Sequence, residues 1–331
     1  MSWGLSRRQI LKTLIAIPGA IAGYFVYKEL TEYDGPPTTF GAPDLPPPKP
    51  ITQSSSSPSF SFFAAGDTGL PSAQRQNVIS EMARKFKQRP VDAIFLVGDN
   101  FYDRGVNSVT DSKWQRDFEQ PFSAQKFPVP FYTCLGNHDY FGNVAAQVEY
   151  AQKSDRWMMP HEYYTFSKQI SENCRAQFFV VDTTPIEEGS YSTQTQIRWL
   201  AEKLESSTAQ YKIVIGHHPL YSGGEHGRSR RNYHQLAGLF EKHQIDLYIC
   251  GHDHDLQLHD TGRGWLHLIS GAGSKLRSVH WVDTTMFAQA SPGFAKITLD
   301  ETRLAIELFS PDGLLFNHEL KSSKVLAKKA A

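Results

Sequence analysis

From residue 60 onward, short apolar runs alternate with longer amphipathic stretches. The runs are nearly continuous, which predicts buried strands at Phe60–Ala65, Ala93–Val97, Val129–Leu135, Phe178–Val181, Lys212–Ile215 and Leu247–Cys250. The amphipathic stretches predict helices at Ser72–Lys87, Asn143–Gln152, Gln194–Leu204 and Asn232–His243. Strands that alternate with helices in this way favour an α/β fold in which helices cover the sheet faces.

After Trp265 the pattern changes to mostly strands. These are predicted at Leu266–Ile269, Phe294–Leu299, Leu304–Phe309 and Leu314–His318. Asp312 and Gly313 form a turn signal between the last two of these runs. The sequence therefore predicts a domain over residues 60–320 whose mixed α/β first part is closed by an antiparallel meander, followed by a basic tail over residues 321–331.

The first 59 residues have a different character. Arg7, Arg8 and Lys12 precede an apolar stretch, which is typical of a signal or anchor over residues 1–30. The S-R-R-x-I-L-K motif resembles the bacterial twin-arginine export signal. That resemblance implies the twin-arginine machinery as a partner and a periplasmic or cell-envelope location; a general signal or anchor is the alternative. Cleaved and retained forms both fit. Residues 31–59 are rich in Pro and Ser, which predicts a linker that tethers the domain to a membrane.

Charge and cysteine content restrict the function further. The chain has 331 residues, with 34 Lys and Arg balanced by 34 Asp and Glu. This balance, without a basic stripe, argues against a nucleic-acid partner. The sparse cysteines Cys134, Cys174 and Cys250 do not form a disulfide framework, so we expect buried free thiols, with one disulfide as the alternative if the protein is exported.

Polar clusters that each begin with glycine follow the predicted strands directly. They are Gly66-Asp67-Thr68-Gly69, Gly98-Asp99-Asn100-Phe101-Tyr102, Gly136-Asn137-His138-Asp139, Gly216-His217-His218-Pro219 and Gly251-His252-Asp253-His254. In α/β sheets, ligands bind beyond the carboxyl ends of the strands, so these clusters are expected to share one site. Carboxylate, imidazole, phenolate and amide oxygen are ligands for iron, zinc or manganese. The pattern therefore predicts a metal site.

The order of these clusters resembles the calcineurin-like metallophosphoesterases. The tyrosine three residues after Asp99 narrows the resemblance to the purple acid phosphatases, most closely the small, tartrate-resistant type. The resemblance spans residues 60–320 and implies a sandwich of two mixed β-sheets flanked by helices. It also implies an acid phosphatase that cleaves phosphate monoesters, either small molecules or phosphoproteins, by attack of a metal-activated hydroxide.

The same resemblance implies a set of metal ligands. Fe(III) would be bound by Asp67, Tyr102, His254 and a bridging Asp99. A second, divalent ion of iron, zinc or manganese would be bound by Asp99, Asn137, His217 and His252. His138 and His226 would be catalytic, because each could bond a phosphate oxygen or protonate the leaving group.

Residues beside the ligands are expected to have lesser roles. His218 is not expected to bind metal, and Asp253 is expected to point away from it. Asp255 stands where the small purple phosphatases often have Asn.

Two rival functions remain open. One is a phosphodiesterase or nucleotide pyrophosphatase on the same fold. Many superfamily members carry a histidine two residues after the first aspartate, and Gly69 in its place argues against the phosphodiesterase and nuclease branches. The other rival is a tethered, catalytically dead binding module, against which the complete ligand set argues.

Overall fold

The computed structural model describes residues 37–43, 48, 58–190 and 193–321. The predicted signal over residues 1–30, most of the predicted linker and residues 322–331 lie outside this part of the chain. Among the described residues, no helix is long and apolar enough to cross a membrane. All three cysteines are buried, and none forms a disulfide.

Two seven-stranded sheets form the centre of the domain. The first sheet has the order β16-β15-β14-β2-β3-β4-β5, with strands β2 (Ser59–Ala65), β3 (Ala93–Val97), β4 (Phe131–Cys134), β5 (Trp157–Met158), β14 (Phe294–Asp300), β15 (Arg303–Ser310) and β16 (Gly313–Lys321). Strands β2 to β5 run parallel, and β14 to β16 form an antiparallel meander joined to β2.

The second sheet has the order β13-β10-β11-β9-β8-β7-β6. Its strands are β6 (Tyr164–Ser171), β7 (Cys174–Val180), β8 (Tyr211–Ile215), β9 (Leu247–Cys250), β10 (Leu256–Asp260), β11 (Leu266–Ser270) and β13 (Thr285–Gln289). Strands β7, β8, β9 and β11 run parallel, and the remaining strands are antiparallel to their neighbours. Both sheets are therefore mixed, as predicted.

The two sheets face each other across an aromatic core. Phe178 of β7 lies 5.6 Å from Phe62 of β2 and 5.2 Å from Phe95 of β3, measured between ring centroids. The next residue, Phe179, points to the opposite face of the second sheet and packs against the helix residues Leu200 and Phe240. This alternation is the period of two expected of a strand, and it places helices outside and aromatic rings between the sheets.

Three of the helices begin at side-chain caps. Their bounds are α1 (Ala73–Gln88), α2 (Val144–Tyr150), α3 (Thr184–Glu188), α4 (Thr193–Glu205) and α5 (Arg230–Lys242). Ser72, Asn143 and Ser229 precede α1, α2 and α5, and each accepts a hydrogen bond from a backbone amide of the first turn. Residues Trp114–Glu119 form a π-helical turn, and Asp139–Phe141 form a single 3₁₀ turn.

The structure corrects the predicted arrangement in two places. The run at Leu266–Ile269 is not part of the closing meander, because β11 pairs in parallel with β9 in the second sheet. The segment predicted as a linker contains a strand, β1 (Thr39–Phe40), which pairs in parallel with β12 (Val279–His280). Strands β5, β6, β10, β12 and β13 and helix α3 were also not predicted.

Candidate metal centre

The polar clusters meet where the two sheets adjoin. Asp67, Asp99 and Asn137 follow β2, β3 and β4, which are neighbouring parallel strands of the first sheet. His217 follows β8 of the second sheet, and His252 and His254 follow its neighbour β9. Because parallel strands end at the same edge of a sheet, each sheet presents its polar residues together. The site therefore takes residues from both sheets.

The turns that carry these side chains have an unusual backbone. Asp67, Asp99 and His252 have φ angles of 57°, 52° and 69°, in the left-handed region that non-glycine residues rarely adopt. The preceding glycines allow close packing: a Cβ on Gly98 would lie 2.3 Å from Nδ1 of His217. A Cβ on Gly136 would likewise lie 2.2 Å from Oδ1 of Asp99. Glycine is required at these two positions because another side chain occupies the space.

One group of donor atoms surrounds the hydroxyl of Tyr102. This oxygen lies 2.7 Å from Oδ2 of Asp99 and 3.0 Å from Oδ1 of Asp67. It also lies 3.3 Å from Nε2 of His254, and that nitrogen is 3.3 Å from Oδ1 of Asp67. All four residues are buried.

A second group lies on the other side of Asp99. Nε2 of His217 lies 3.5 Å from Oδ1 of Asp99 and 3.2 Å from Oδ1 of Asn137. Nδ1 of His252 lies 3.0 Å from the same Asn137 oxygen and 3.3 Å from Nε2 of His217. Asp99 thus offers one carboxylate oxygen to each group, an arrangement that suits a bridging ligand.

The spacing within both groups fits metal binding. Ligands that lie about 2.0–2.2 Å from an ion are separated from each other by roughly 2.9–3.6 Å. Neighbouring donor atoms of the two groups lie 2.7–3.5 Å apart, which is close to this separation. In the described part of the chain, ligand atoms of Asp67, Asp99 and His217 also lie within 4.8 Å of one another. The seven residues therefore could hold two neighbouring cations.

Other contacts fix the orientation of the imidazoles. Nδ1 of His217 lies 3.0 Å from the carbonyl oxygen of Val97, and a proton donated there leaves Nε2 available to a metal. The backbone amide of His252 donates to Oδ2 of Asp67 at 2.9 Å, which holds the turn after β9 against the turn after β2.

The electrostatics of the site disfavour a phenolate unless a cation is present. Burial, together with the carboxylates of Asp67 and Asp99, raises the pKa of Tyr102 well above its usual range. Burial and the neighbouring imidazoles lower the pKa of His252 well below its usual range, which keeps that ring neutral. A bound cation would lower the pKa of Tyr102 and so favour the phenolate. The neutral ring of His252 is already in the form that binds a metal, because metal ligands must be deprotonated.

Both predicted catalytic histidines lie beside the donor groups. The His138 ring lies 4.3 Å from the Tyr102 ring, and its backbone amide donates to Oδ1 of Asp99 at 2.8 Å. Its Nδ1 lies 2.7 Å from the carbonyl oxygen of Asp103. The His226 ring stacks on the His252 ring, with 4.3 Å between centroids. His138 thus lies beside the group around Tyr102, and His226 lies beside the group that contains His252.

The supporting roles of two residues were not predicted. The Thr183 hydroxyl accepts hydrogen bonds from the backbone amides of His217 and His218, and it lies 2.9 Å from Nδ1 of His218. Asp253 accepts from the backbone amide of His226 at 2.9 Å and from the Ser222 hydroxyl. The Asp253 carboxylate is therefore turned away from the two groups of candidate metal ligands, as expected, and it holds the loop that carries His226. Neither residue belongs to a sequence motif with a role of this kind.

Position 69 has no room for the histidine found elsewhere in the superfamily. A Cβ on Gly69 would lie 2.5 Å from both the backbone nitrogen and the Cα of Phe101. The space is filled by the backbone of Asn100 and Phe101, in the turn after β3. Tyr102 follows directly in this turn, and its side chain enters the site. The backbone turn that brings Tyr102 into the site therefore leaves room only for glycine at position 69.

Comparison with known proteins agrees with this geometry. The family model described as calcineurin-like phosphoesterase matches residues 60–256, which carry every residue of the two donor groups. The chain belongs to this family. The phosphoesterase is 33% identical to tartrate-resistant acid phosphatase type 5 of Mus musculus over 239 residues, which cover 66% of this chain and 73% of the relative. It is 29% identical to purple acid phosphatase 4 of Arabidopsis thaliana, over 81% of this chain and 85% of the relative.

Solved structures share the fold at lower identity. GAP50, described as the anchor in the inner membrane complex of Plasmodium, has a TM-score of 0.75 and 24% identity, covering 82% of the phosphoesterase and 94% of that chain. The purple acid phosphatase PPD1 of yellow lupin has a TM-score of 0.62 and 18% identity, over 82% and 55% of the two chains. The family and fold predicted from the strand-end motifs are confirmed.

Proposed function

We propose that this phosphoesterase is an acid phosphatase that cleaves phosphate monoesters at a dinuclear centre. Asp67, Tyr102 and His254 bind Fe(III); Asn137, His217 and His252 bind a divalent ion; and Asp99 bridges the two. The observation that carries the proposal is the position of the Tyr102 hydroxyl, 2.7–3.3 Å from donor atoms of Asp99, Asp67 and His254. The similarity to tartrate-resistant and purple acid phosphatases supports the same activity.

Two cations bound at these positions supply Lewis acidity toward a phosphate ester and lower the pKa of water. The protein residues supply orientation and proton transfer. The Nδ1 of His138 is engaged by the carbonyl of Asp103, so its Nε2 remains for a phosphate oxygen or for protonation of the leaving group. His226, stacked on His252, borders the other donor group and is suited to bind the transferred phosphoryl group.

The dead binding module is less well supported. GAP50 shows that the fold also occurs in a protein described as an anchor. Its 24% identity bears on the fold alone. In this chain both donor groups are complete and their atoms lie at ligand–ligand separations. A module without catalytic function has no need to keep seven such side chains in place.

The location of the enzyme is a separate part of the proposal. Arg7 and Arg8 within the twin-arginine-like motif support export of the folded protein to the periplasm or cell envelope of a bacterium. Residues 31–36 would then connect the catalytic domain to its N-terminal signal or membrane anchor. Cell fractionation of the intact chain beside an Arg7→Lys/Arg8→Lys variant tests this, and export of the variant would contradict it.

The visible absorption spectrum tests the metal centre. Phenolate bound to ferric iron gives a charge-transfer band, so the purified protein is expected to be violet, and Tyr102→Phe is expected to be colourless. Tyr150→Phe is a matched control, since that hydroxyl bonds Glu119 away from the site. A colourless, metal-loaded and active wild type would contradict the ferric assignment.

Substrate assays test the reaction independently of colour. We expect the rate of hydrolysis of a phosphate monoester to exceed that of a bis-ester. A preference for the bis-ester would favour the phosphodiesterase alternative. A metal content near zero after attempted loading, together with absent activity, would favour the binding module.

A further inference from the structure

Part of the predicted linker is built into the catalytic domain. Residues 37–43, here called the strap, contain β1, which pairs in parallel with β12. The backbone amides of Val279 and Trp281 donate to the carbonyl oxygens of Thr38 and Phe40, each at 2.9 Å. The Phe40 ring stacks on the His280 ring, with 4.4 Å between centroids and 13° between planes.

A side-chain contact extends the strap beyond this pairing. The Thr39 hydroxyl accepts a hydrogen bond from the backbone amide of Ala290 at 2.9 Å, just after β13. The backbone amide of Thr38 donates to the Ser278 hydroxyl at 3.1 Å. The strap is therefore held at both its backbone and its side chains, which a flexible spacer does not require.

The segment around β12 pairs with the strap along one edge and with the loop that carries His226 along the other. We call residues 277–281 the brace and residues 222–227 the His226 loop. The amide of His280 donates to the carbonyl of Gly223 at 2.8 Å, and Val279 forms an antiparallel bridge with Gly224. The amide of Ser278 donates to Oε1 of Glu225 at 3.0 Å. Successive amides of the brace thus point alternately to the strap and to the His226 loop.

The packing around this loop is tight. A Cβ on Gly223 would lie 1.8 Å from the carbonyl oxygen of His280, and one on Gly224 would lie 2.3 Å from Cγ of Asp253. The loop therefore fills the space between the brace and Asp253, so a shift of the brace must move it. The brace also contacts the metal-ligand turn directly, because the amide of Arg277 donates to the carbonyl of His254 at 3.0 Å.

We propose that the strap is a positioning element of the active site, which sets the place of His226 through the brace. This inference rests on the proposed function for its effect on activity, but the coupling itself is structural. The brace is a short strand whose pairing partners are the strap on one edge and the His226 loop on the other. Removing one partner strand frees the brace to shift, and a shift of about 1 Å in a catalytic group can cost up to roughly 100-fold in rate.

The first test replaces the strap in the full chain with a Gly/Ser sequence of equal length. The control applies the same replacement to residues 51–57, which are already largely serine. We expect the strap variant to lose roughly 10-fold in kcat with unchanged metal content, and the control to lose less than roughly 2-fold. Phe40→Ala, which keeps the backbone pairing, should give a smaller loss in the same direction. Equal activity of strap variant and wild type would overturn the proposal.

A double-variant comparison separates positioning from general destabilisation. In a His226→Ala background, the strap replacement should cost less than roughly 2-fold, because the group it positions is absent. An equal loss in both backgrounds, or loss of bound metal, would show that the strap stabilises the whole domain and would overturn the proposal.

Amide hydrogen exchange gives a readout that does not need activity. The strap replacement should speed exchange at the amides of His280 and His226 but leave the core strands β3 and β8 unchanged. Unchanged exchange at His226 would overturn the coupling. Failure of the proposed function would instead appear as absent phosphatase activity in the metal-loaded wild type, whatever the exchange rates.

Discussion

The hydroxyl oxygen of Thr183 lies 3.2 Å from the backbone nitrogen of His217, and it fixes the turn that presents this imidazole to Asn137 and Asp99. The same oxygen accepts from the amide of His218 at 3.0 Å. Having accepted twice, it has its proton left for Nδ1 of His218, at 2.9 Å. Burial lowers the pKa of His218 to about 3, so that ring is neutral and able to accept. One hydroxyl thus satisfies three polar groups behind the metal centre.

Thr183→Val should therefore be costly. The substitution keeps the shape of the side chain but leaves two buried amides without acceptors, at about 1–3 kcal/mol each. We expect a loss of at least about 2 kcal/mol in the free energy of unfolding and weaker metal binding. Thr184→Val is the matched control, since that hydroxyl is buried without a hydrogen-bond partner. Equal stability of the two variants in urea denaturation would contradict this account.

Gly69→Ala should destabilise the protein for steric reasons. The new Cβ would lie 2.5 Å from the Phe101 backbone, which cannot move without displacing Tyr102. We expect a loss of about 1–3 kcal/mol, as for overpacking of a core, together with a weaker violet band. Gly238→Ala serves as the control, because its Cβ would meet nothing within 4 Å in α5. That change should stabilise the helix by about 0.5–1 kcal/mol.

Asp182→Asn should change the pH dependence of stability. Burial raises the pKa of Asp182 to about 7, although the Tyr140 hydroxyl donates to its carboxylate. In the unfolded chain the same carboxyl ionises near pH 4. The folded state therefore keeps a proton that the unfolded state releases, and the wild type loses stability as pH rises from about 4 to about 7, by at most about 1.4 kcal/mol per pH unit.

The Asn variant lacks this titration. Its stability relative to wild type should rise between pH 4 and 7 and stay level above pH 7, when both proteins are compared by denaturant unfolding at equal metal content. A difference that is constant across this range would show that the pKa of Asp182 is not raised.

Asp253→Asn should impair catalysis without loss of metal. Asp253 accepts from the amide of His226 with one oxygen and from the Ser222 hydroxyl with the other, and an amide side chain has only one acceptor. We expect kcat to fall roughly 10-fold as the His226 loop loosens. Asp255→Asn is the matched control two residues away: one carboxylate oxygen accepts from Gln257, and the other is buried without a partner. Equal losses in both variants would argue against a specific role for Asp253.

The sequence predicted the parts of the site whose signal is local. Glycine followed by a carboxylate or imidazole residue after an apolar run marks a strand end, and that pattern sufficed to predict that residues such as Asp67 and His217 lie close together. The roles of Thr183 and Asp253 depend on hydrogen bonds to residues 34 and 27 positions away, which no local pattern contains.

The missed strands have a similar explanation. In β10, Gln257 and His259 are fully buried, yet their polar character masked the strand. His259 is satisfied by Thr284 and Gln257, contacts that only the folded chain reveals. Strand β1 lies in a Pro-rich stretch whose composition indicates a linker, and its conformation is set by the pairing with Val279 and His280.

The division of the proposed metal ligands between two sheets has a mechanical consequence. Asp67, Asp99 and Asn137 extend from one sheet, and His217, His252 and His254 from the other, so bound cations would cross-link the sheets at the edge where their aromatic core ends. Removal of the metal by a chelator would then break this cross-link as well as abolish catalysis. Thermal resistance of the domain should accordingly track metal occupancy, since a ligand that binds only the folded state stabilises it in proportion to the logarithm of its concentration. Metal-chelating surroundings would therefore reduce the rigidity and the activity of the enzyme together.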